Sequence, residues 1–114
     1  MKAVAQLLSD VLWEDLDIMI LDMPPGTGDA QLTLAQSVPV SAGVCVSTPQ
    51  AVSLDDSRRA LDMFGKLHIP VAGIIENMSG FICPDNGKEY AIFGKGGAEI
   101  LAGEYKCEIL AHIP

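Results

Sequence analysis

Residues Asp17–Asp29 read DIMILDMPPGTGD, and the fold turns on how this stretch is understood. Ile18–Leu21 form an apolar run too short for an independent helix, closed by Asp22 and a Pro24-Pro25-Gly26 turn, which predicts a buried strand running into a loop. In an open α/β sheet, ligands bind beyond the C-terminal ends of the strands. An acid at such an end is what a phosphate-hydrolysing site uses to hold Mg²⁺, directly or through water, which makes Asp22 a candidate. Pro24 and Pro25 stiffen the exit. Gly26 can bring a backbone N–H close to a phosphate without side-chain interference. Thr27, Gly28 and Asp29 then open the next helix. The same residues also suit a plain strand-to-helix turn.

Working outward, Val4, Leu7, Leu8, Val11 and Leu12 recur at helical spacing and predict an amphipathic helix over 3–13. Residues 31–38 suit a short helix with Asp29 placed to cap it. A second buried strand is expected over 42–48. A capping box of Ser53 and Asp56 then opens a helix that buries Ala60, Leu61, Phe64 and Leu67. On its outer side, Asp55–Arg59 and Asp62–Lys66 have the spacing of i,i+4 ion pairs. Residues 71–76 (VAGIIE) predict a third strand, 80–97 a β-hairpin turning at Asn86-Gly87, 97–105 a helix, and CEILAHIP a fourth strand. This alternation predicts an α/β fold: three layers, a mostly parallel sheet of about four strands flanked by helices, and a hairpin insertion near 80–95. Residues 1–114 are expected to form a single domain, or part of one, because the pattern starts on a helix and stops where a loop should begin.

Composition narrows the function classes. An apolar share of 49% with 5% aromatics in 114 residues suits an aliphatic α/β core. A formal charge of −8, with seven scattered basic residues, argues against non-specific nucleic-acid binding. No apolar run approaches the ~18 residues needed to cross a bilayer, and Asp10 comes too early for a secretory signal. Three widely spaced cysteines suit reduced thiols, so a cytoplasmic protein is expected.

The string from Asp22 to Phe64, DMPPGTGDAQLTLAQSVPVSAGVCVSTPQAVSLDDSRRALDMF, resembles the Mrp/ApbC family of iron–sulfur cluster carrier ATPases, within the MinD/ParA group of deviant-Walker P-loop proteins. ENMSGFIC and IFGKGGAEIL, further on, resemble the same family in the same order. The resemblance implies ATP and Mg²⁺ as ligands, a homodimer, and iron–sulfur apoproteins as clients, with neither nucleic acid nor membrane as partner. It makes Asp22 the Walker-B acid and Gly26 part of a phosphate-sensing switch. Asn77 falls where the group reads the nucleotide base; a carboxamide offers adenine both a donor and an acceptor. Taken alone, Asn77 also suits a turn or cap. Pro114 falls where the family's next loop helps enclose the base, and Asp56, Arg58 and Arg59 fall where the family meets a dimer partner. No G-x-x-x-x-G-K-[ST] motif occurs in these residues. The resemblance therefore implies a C-terminal portion of a Mg²⁺-dependent ATPase that is inactive by itself. The alternative is a nucleotide-switched positioning or partner-binding protein without a cluster.

The family's cluster site is a C-x-x-C after ENMS, so that two subunits offer four thiolates to one [4Fe–4S] cluster. Here the stretch is Cys83-Pro84-Asp85-Asn86: Cys83 is present, and Asn86, a poor ligand for iron, stands in the second position. Cys45 and Cys107 are expected to be buried or structural thiols. The hairpin is also readable as the relic of a zinc knuckle or as a docking loop. His68 and His112 lack a second ligand at metal-binding spacing and are expected not to bind metal.

Overall fold

Strand β1 (Gly43–Ser47) buries Gly43, Cys45 and Ser47 and leaves Val44 and Val46 exposed, the period-two alternation of a strand with one covered face. The computed structural model describes residues 2–26 and 28–114, so Thr27, expected to help open a helix, lies outside the described residues. The chain divides into two compact units, Met1–Val40 and Ser41–Pro114.

In the second unit, β1 pairs in parallel with β2 (Val71–Asn77), which pairs in parallel with β5 (Ile109–Ile113), giving the order β1-β2-β5. Helices α3 (Ala51–Lys66) and α4 (Gly97–Tyr105) are the connections that parallel pairing requires. Both feed one core, built from Cys45, Leu54, Leu61, Ile74, Ala98 and Leu101. Within this unit the helices therefore form one layer on the inner face of the sheet. Between β2 and α4, the strands β3 (Phe81–Ile82) and β4 (Glu89–Tyr90) pair antiparallel as the expected hairpin, with Gly87 at φ 68° in its turn.

Helix α3 ends in a Schellman motif. His68 adopts φ 55°, its N–H donates to Gly65 O at 3.2 Å, and Ile69 N–H donates to Phe64 O at 2.9 Å. Lys106 ends α4 with φ 52° as well, and there the Lys106 and Cys107 N–H groups both donate to Ala102 O, the latter at 3.2 Å.

The helix starts and charge pairs differ from the sequence expectation. Gln50 is the N-cap of α3, so Ser53 lies inside the first turn and forms no box with Asp56. Ser53 Oγ instead accepts the Thr48 N–H at 3.0 Å, tying the β1–α3 turn. Arg58 pairs with Asp55 and Arg59 with Asp56, at i,i+3 rather than i,i+4. Asp62 accepts a hydrogen bond from Tyr105.

The first unit holds α1 (Lys2–Ser9) and α2 (Asp29–Ser37). Helix α1 is shorter than the predicted 3–13: Ser9 Oγ bonds back to Ala5 O and across to Asp10, competing with continuation of the helix. Asp29 is the first residue of α2 and Gly28 its N-cap, so Asp29 does not cap it. Residues 17–23 form no strand, and the parallel sheet has three strands instead of about four. A ladder needs a neighbouring strand, and the described residues of this unit supply two helices. Ile18 and Ile20 accordingly stand 79% and 89% exposed. No helix among the described residues is long and apolar enough to cross a membrane.

Candidate functional site

In the first unit, Asp22 and Gly26 lie on the exposed irregular segment before α2. Gly26 adopts φ 100°, a conformation open to glycine and costly for L-residues. The loop is held from below by Gln31 of α2, which is buried to 5% exposure. Its Nε2 donates to Pro24 O at 2.7 Å and to Gly26 O at 2.9 Å. A buried carboxamide that donates to two loop carbonyls fixes the PPG turn without using the loop's own N–H groups. Gln31 was not legible as a site residue, because a glutamine in the first turn of a helix carries no distinctive spacing.

In the second unit, Asn77 ends β2 opposite Ile113, so Asn77 and Pro114 lie at adjacent strand ends, where ligands of open α/β sheets bind. Asn77 Oδ1 accepts the N–H of Met78 at 3.0 Å, and Met78 turns the chain with φ 54°. The asparagine therefore makes a local turn contact. Cys83 follows on the hairpin, half-buried, with its N–H donating to Lys88 O and its carbonyl accepting from Gly87 N–H. Asn86 Oδ1 accepts the Lys88 N–H at 2.9 Å, and its Nδ2 donates to Tyr90 Oη at 3.4 Å. Asn86 thus serves the turn. Among the described residues, no three His, Cys, Asp or Glu side chains gather as a metal site.

Cys45 is buried, and Cys107 packs against the core that contains it. Burial pushes the Cys45 thiol up despite a hydrogen bond from Ser57. Both suit structural roles. Arg58 grips Glu104 of α4 through Nε at 2.8 Å and Nη2 at 2.9 Å, a bidentate pair that holds Glu104 below the usual carboxylate range. In this structure Arg58 thus joins α3 to α4 within the chain.

The densest polar cluster centres on Glu76, in the strand end Glu76–Ser79, one of the four strand ends at which the sequence places ligand binding, although no role was expected of its side chain. It is 3% exposed. Its Oε2 accepts the Ala98 N–H at the start of α4 at 2.8 Å, and its Oε1 lies 3.2 Å from His112 Nδ1. Ser79 Oγ lies 3.3 Å from the same His112 nitrogen, and Glu99 lies 3.7 Å from Nε2. Burial alone would raise the Glu76 carboxyl, but the Ala98 amide, Ser79 and His112 outweigh it and hold it below its ordinary range. The cluster superficially suggests a Ser-His-Glu triad. Such a triad needs the hydroxyl and an acid hydrogen-bonded to opposite ring nitrogens; here Ser79 and Glu76 both meet Nδ1, and Glu99, at 3.7 Å from Nε2, lies beyond hydrogen-bond distance, so no proton relay crosses the imidazole. One signal could have found Glu76: it shares the inward parity of Ile74 on an otherwise apolar strand.

The whole chain, residues 1–114, matches the ParA-type family described as NUBPL iron-transfer P-loop NTPase. It is 60% identical over 114 residues to the iron-sulfur cluster carrier protein of Helicobacter pylori, covering all of this chain and 31% of that protein. It is 52% identical over 113 residues to the Escherichia coli K12 protein of the same name, covering 99% and 31%. The chain thus spans about a third of the length of these curated relatives. A nucleotide-binding protein from Archaeoglobus fulgidus, solved in complex with ADP, superposes with a TM-score of 0.83 at 40% identity, covering 98% of this chain and 46% of that one. The PPG loop, the parallel strand ends and the hairpin thus sit in a known architecture, and the chain belongs to the NUBPL iron-transfer P-loop NTPase family, the Mrp/ApbC-type proteins.

Proposed function

We propose that this chain is the C-terminal part of an ATP- and Mg²⁺-binding iron–sulfur cluster carrier, acting as a homodimer in the cytoplasm and delivering clusters to apoproteins. The observation that carries this reading is the 60% identity to the Helicobacter pylori iron-sulfur cluster carrier protein over all 114 residues. The ADP complex of the Archaeoglobus fulgidus relative supports the nucleotide part. Asp22 is an exposed carboxylate, which suits Mg²⁺, an ion that keeps several waters and takes few protein ligands beside phosphate. Gly26 senses the terminal phosphate through its backbone, Asn77 reads the base, and Pro114 borders it. Bound Mg²⁺ supplies charge neutralisation at the phosphates.

The cluster is cargo, and this hairpin offers it one thiolate, from Cys83. The 114 residues contain no lysine-bearing P-loop, so most of the phosphate grip and transition-state stabilisation comes from elsewhere in the protein. This chain alone is expected not to hydrolyse ATP; turnover by it that Asp22→Ala abolishes would overturn that expectation.

One observation favours a second reading, a nucleotide-switched partner-binding protein without a cluster: Asn86 occupies the second thiol position and is engaged within the turn. Anaerobic reconstitution of the intact protein with iron and sulfide separates the two. Visible-region absorbance that Cys83→Ala removes supports the carrier. Its persistent absence sinks the cargo and leaves nucleotide binding standing.

A further inference from the structure

The segment carrying Cys83 leaves the sheet after Asn77 and returns to it at α4, and both of its ends are tied to one side chain. At the exit, Ser79 N–H donates to Ile113 O at 2.9 Å, and Ser79 Oγ shares His112 Nδ1 with Glu76. At the return, Ala98 N–H donates to Glu76 Oε2 at 2.8 Å. The return is also tightly packed: a Cβ at Gly97 would lie 2.9 Å from Pro49 Cα and 3.3 Å from Glu76 Oε2. Glu76 directly precedes Asn77. Its carboxylate therefore joins the start of α4 to the His112 ring on β5, one residue before the Asn77–Met78 turn leaves β2.

We propose that Glu76 is a positioning residue that clasps the Ser79–Ala98 excursion at both ends and thereby sets Asn77 in the geometry that reads the nucleotide base. The second half rests on the assignment of Asn77 as base reader; the clasp itself does not. A buried carboxylate committed to a helix N-terminus and a histidine is expensive to leave unpaired, so the arrangement resists partial opening. Glutamine keeps an acceptor for Ala98 and offers a donor to a neutral imidazole, so it conserves much of the clasp, whereas alanine removes both carboxylate bonds and leaves Ser79 only its bonds to Ile113 O and His112.

The test uses the intact protein with Glu76→Gln, Glu76→Ala and His112→Ala. Amide hydrogen exchange is followed at Ser79, Cys83, Gly87 and Ala98, with Leu61, Ile74 and Leu101 as core references. Glu76→Ala is expected to speed exchange at the four excursion amides by about tenfold or more while the core amides hold, with Glu76→Gln restoring most of the protection. His112 is 44% exposed, so His112→Ala keeps the question open if Glu76→Ala does not fold; it is expected to loosen Ser79 more than Ala98. Unchanged protection of the excursion in Glu76→Ala, or in His112→Ala where the first does not fold, overturns the clasp.

Binding of ATP and GTP is then measured for the same variants. If Asn77→Ala abolishes a wild-type preference for ATP, Glu76→Ala is expected to shrink that preference and Glu76→Gln to keep it. A preference unchanged in Glu76→Ala overturns the positioning role. A wild-type protein with no preference, or one that Asn77→Ala leaves intact, refutes the base-reading assignment and with it the second half of the proposal, while exchange still decides the clasp.

Discussion

Gln31 holds Gly26 by a 2.9 Å hydrogen bond from its buried Nε2 to the loop carbonyl, and the same nitrogen holds Pro24 O at 2.7 Å. The loop that distinguishes this sequence is thus fixed by a side chain outside its motif. Replacing Gln31 with alanine removes the donor shared by two carbonyls and opens a small void under the turn. The expected cost is about 1–3 kcal/mol, read from urea unfolding. Gln31→Glu tests the sign: a carboxylate cannot donate, so it should be at least as costly as alanine at neutral pH. A Glu variant as stable as wild type would refute the role.

His68 and Lys106 hold left-handed conformations that favour glycine, at φ 55° and 52°. Each ends a helix, and neither position asks for more than a backbone turn. His68→Gly and Lys106→Gly should therefore each stabilise the protein, by roughly 0.5–1 kcal/mol after the extra unfolded-state entropy of glycine is set against relief of strain. Thermal unfolding checks this. A loss of stability at His68 would mean that its ring does more than terminate α3.

Glu76 gives a pH dependence of defined sign. Burial works against its ionisation, yet the Ala98 amide, Ser79 and His112 bring its folded-state value below the ordinary one. The folded protein therefore releases this proton at lower pH than the unfolded chain does. The contribution is fully present above the ordinary glutamate value of about 4.3 and is lost as pH falls through the folded value. The urea midpoints of wild type and Glu76→Gln should converge as pH falls below about 4.3. Glu104 shifts in the same direction through Arg58, but that pair is exposed and its effect should fade in salt, as the Glu76 effect should not. A difference between wild type and Glu76→Gln that keeps growing as pH falls below about 4.3 would contradict this assignment.

What was legible in the sequence divides along the two units. Where both the strand and its neighbours are present, as for 43–47, 71–77 and 109–113, local pattern and structure agree within a residue or two. The hairpin and α4 followed from turn chemistry and apolar spacing for the same reason. Residues 17–23 have an equally strong strand pattern but lack a ladder partner among the described residues of their unit, and pattern alone cannot supply one. The candidate site was proposed from motif strings, at Asp22, Gly26, Asn77 and Cys83. It was not legible at Gln31 and Glu76, because their roles depend on tertiary partners: loop carbonyls for one, a helix start and a distant histidine for the other. Arg58 shows the same limit. Its periodicity marks a solvated face, while its partner, Glu104, lies 46 residues away.

Asn86 provides the sharpest test of the cargo assignment. Its carboxamide accepts from Lys88 N–H at 2.9 Å and reaches Tyr90 Oη at 3.4 Å, so it supports the hairpin turn beside Cys83. Asn86→Cys would exchange those bonds for a second thiol at the family's spacing, at an expected cost of about 1 kcal/mol in hairpin stability. In return, a homodimer would offer four thiolates in place of two, the number a [4Fe–4S] cluster takes. Reconstituted anaerobically, the Asn86→Cys protein should hold more iron and sulfide per chain than wild type and release the cluster more slowly to a chelator. Adding Cys83→Ala to the same chain should return loading to wild-type levels or below. If Asn86→Cys leaves loading and release unchanged, the hairpin is not where the cargo sits, and Cys83 is a turn residue like its neighbour.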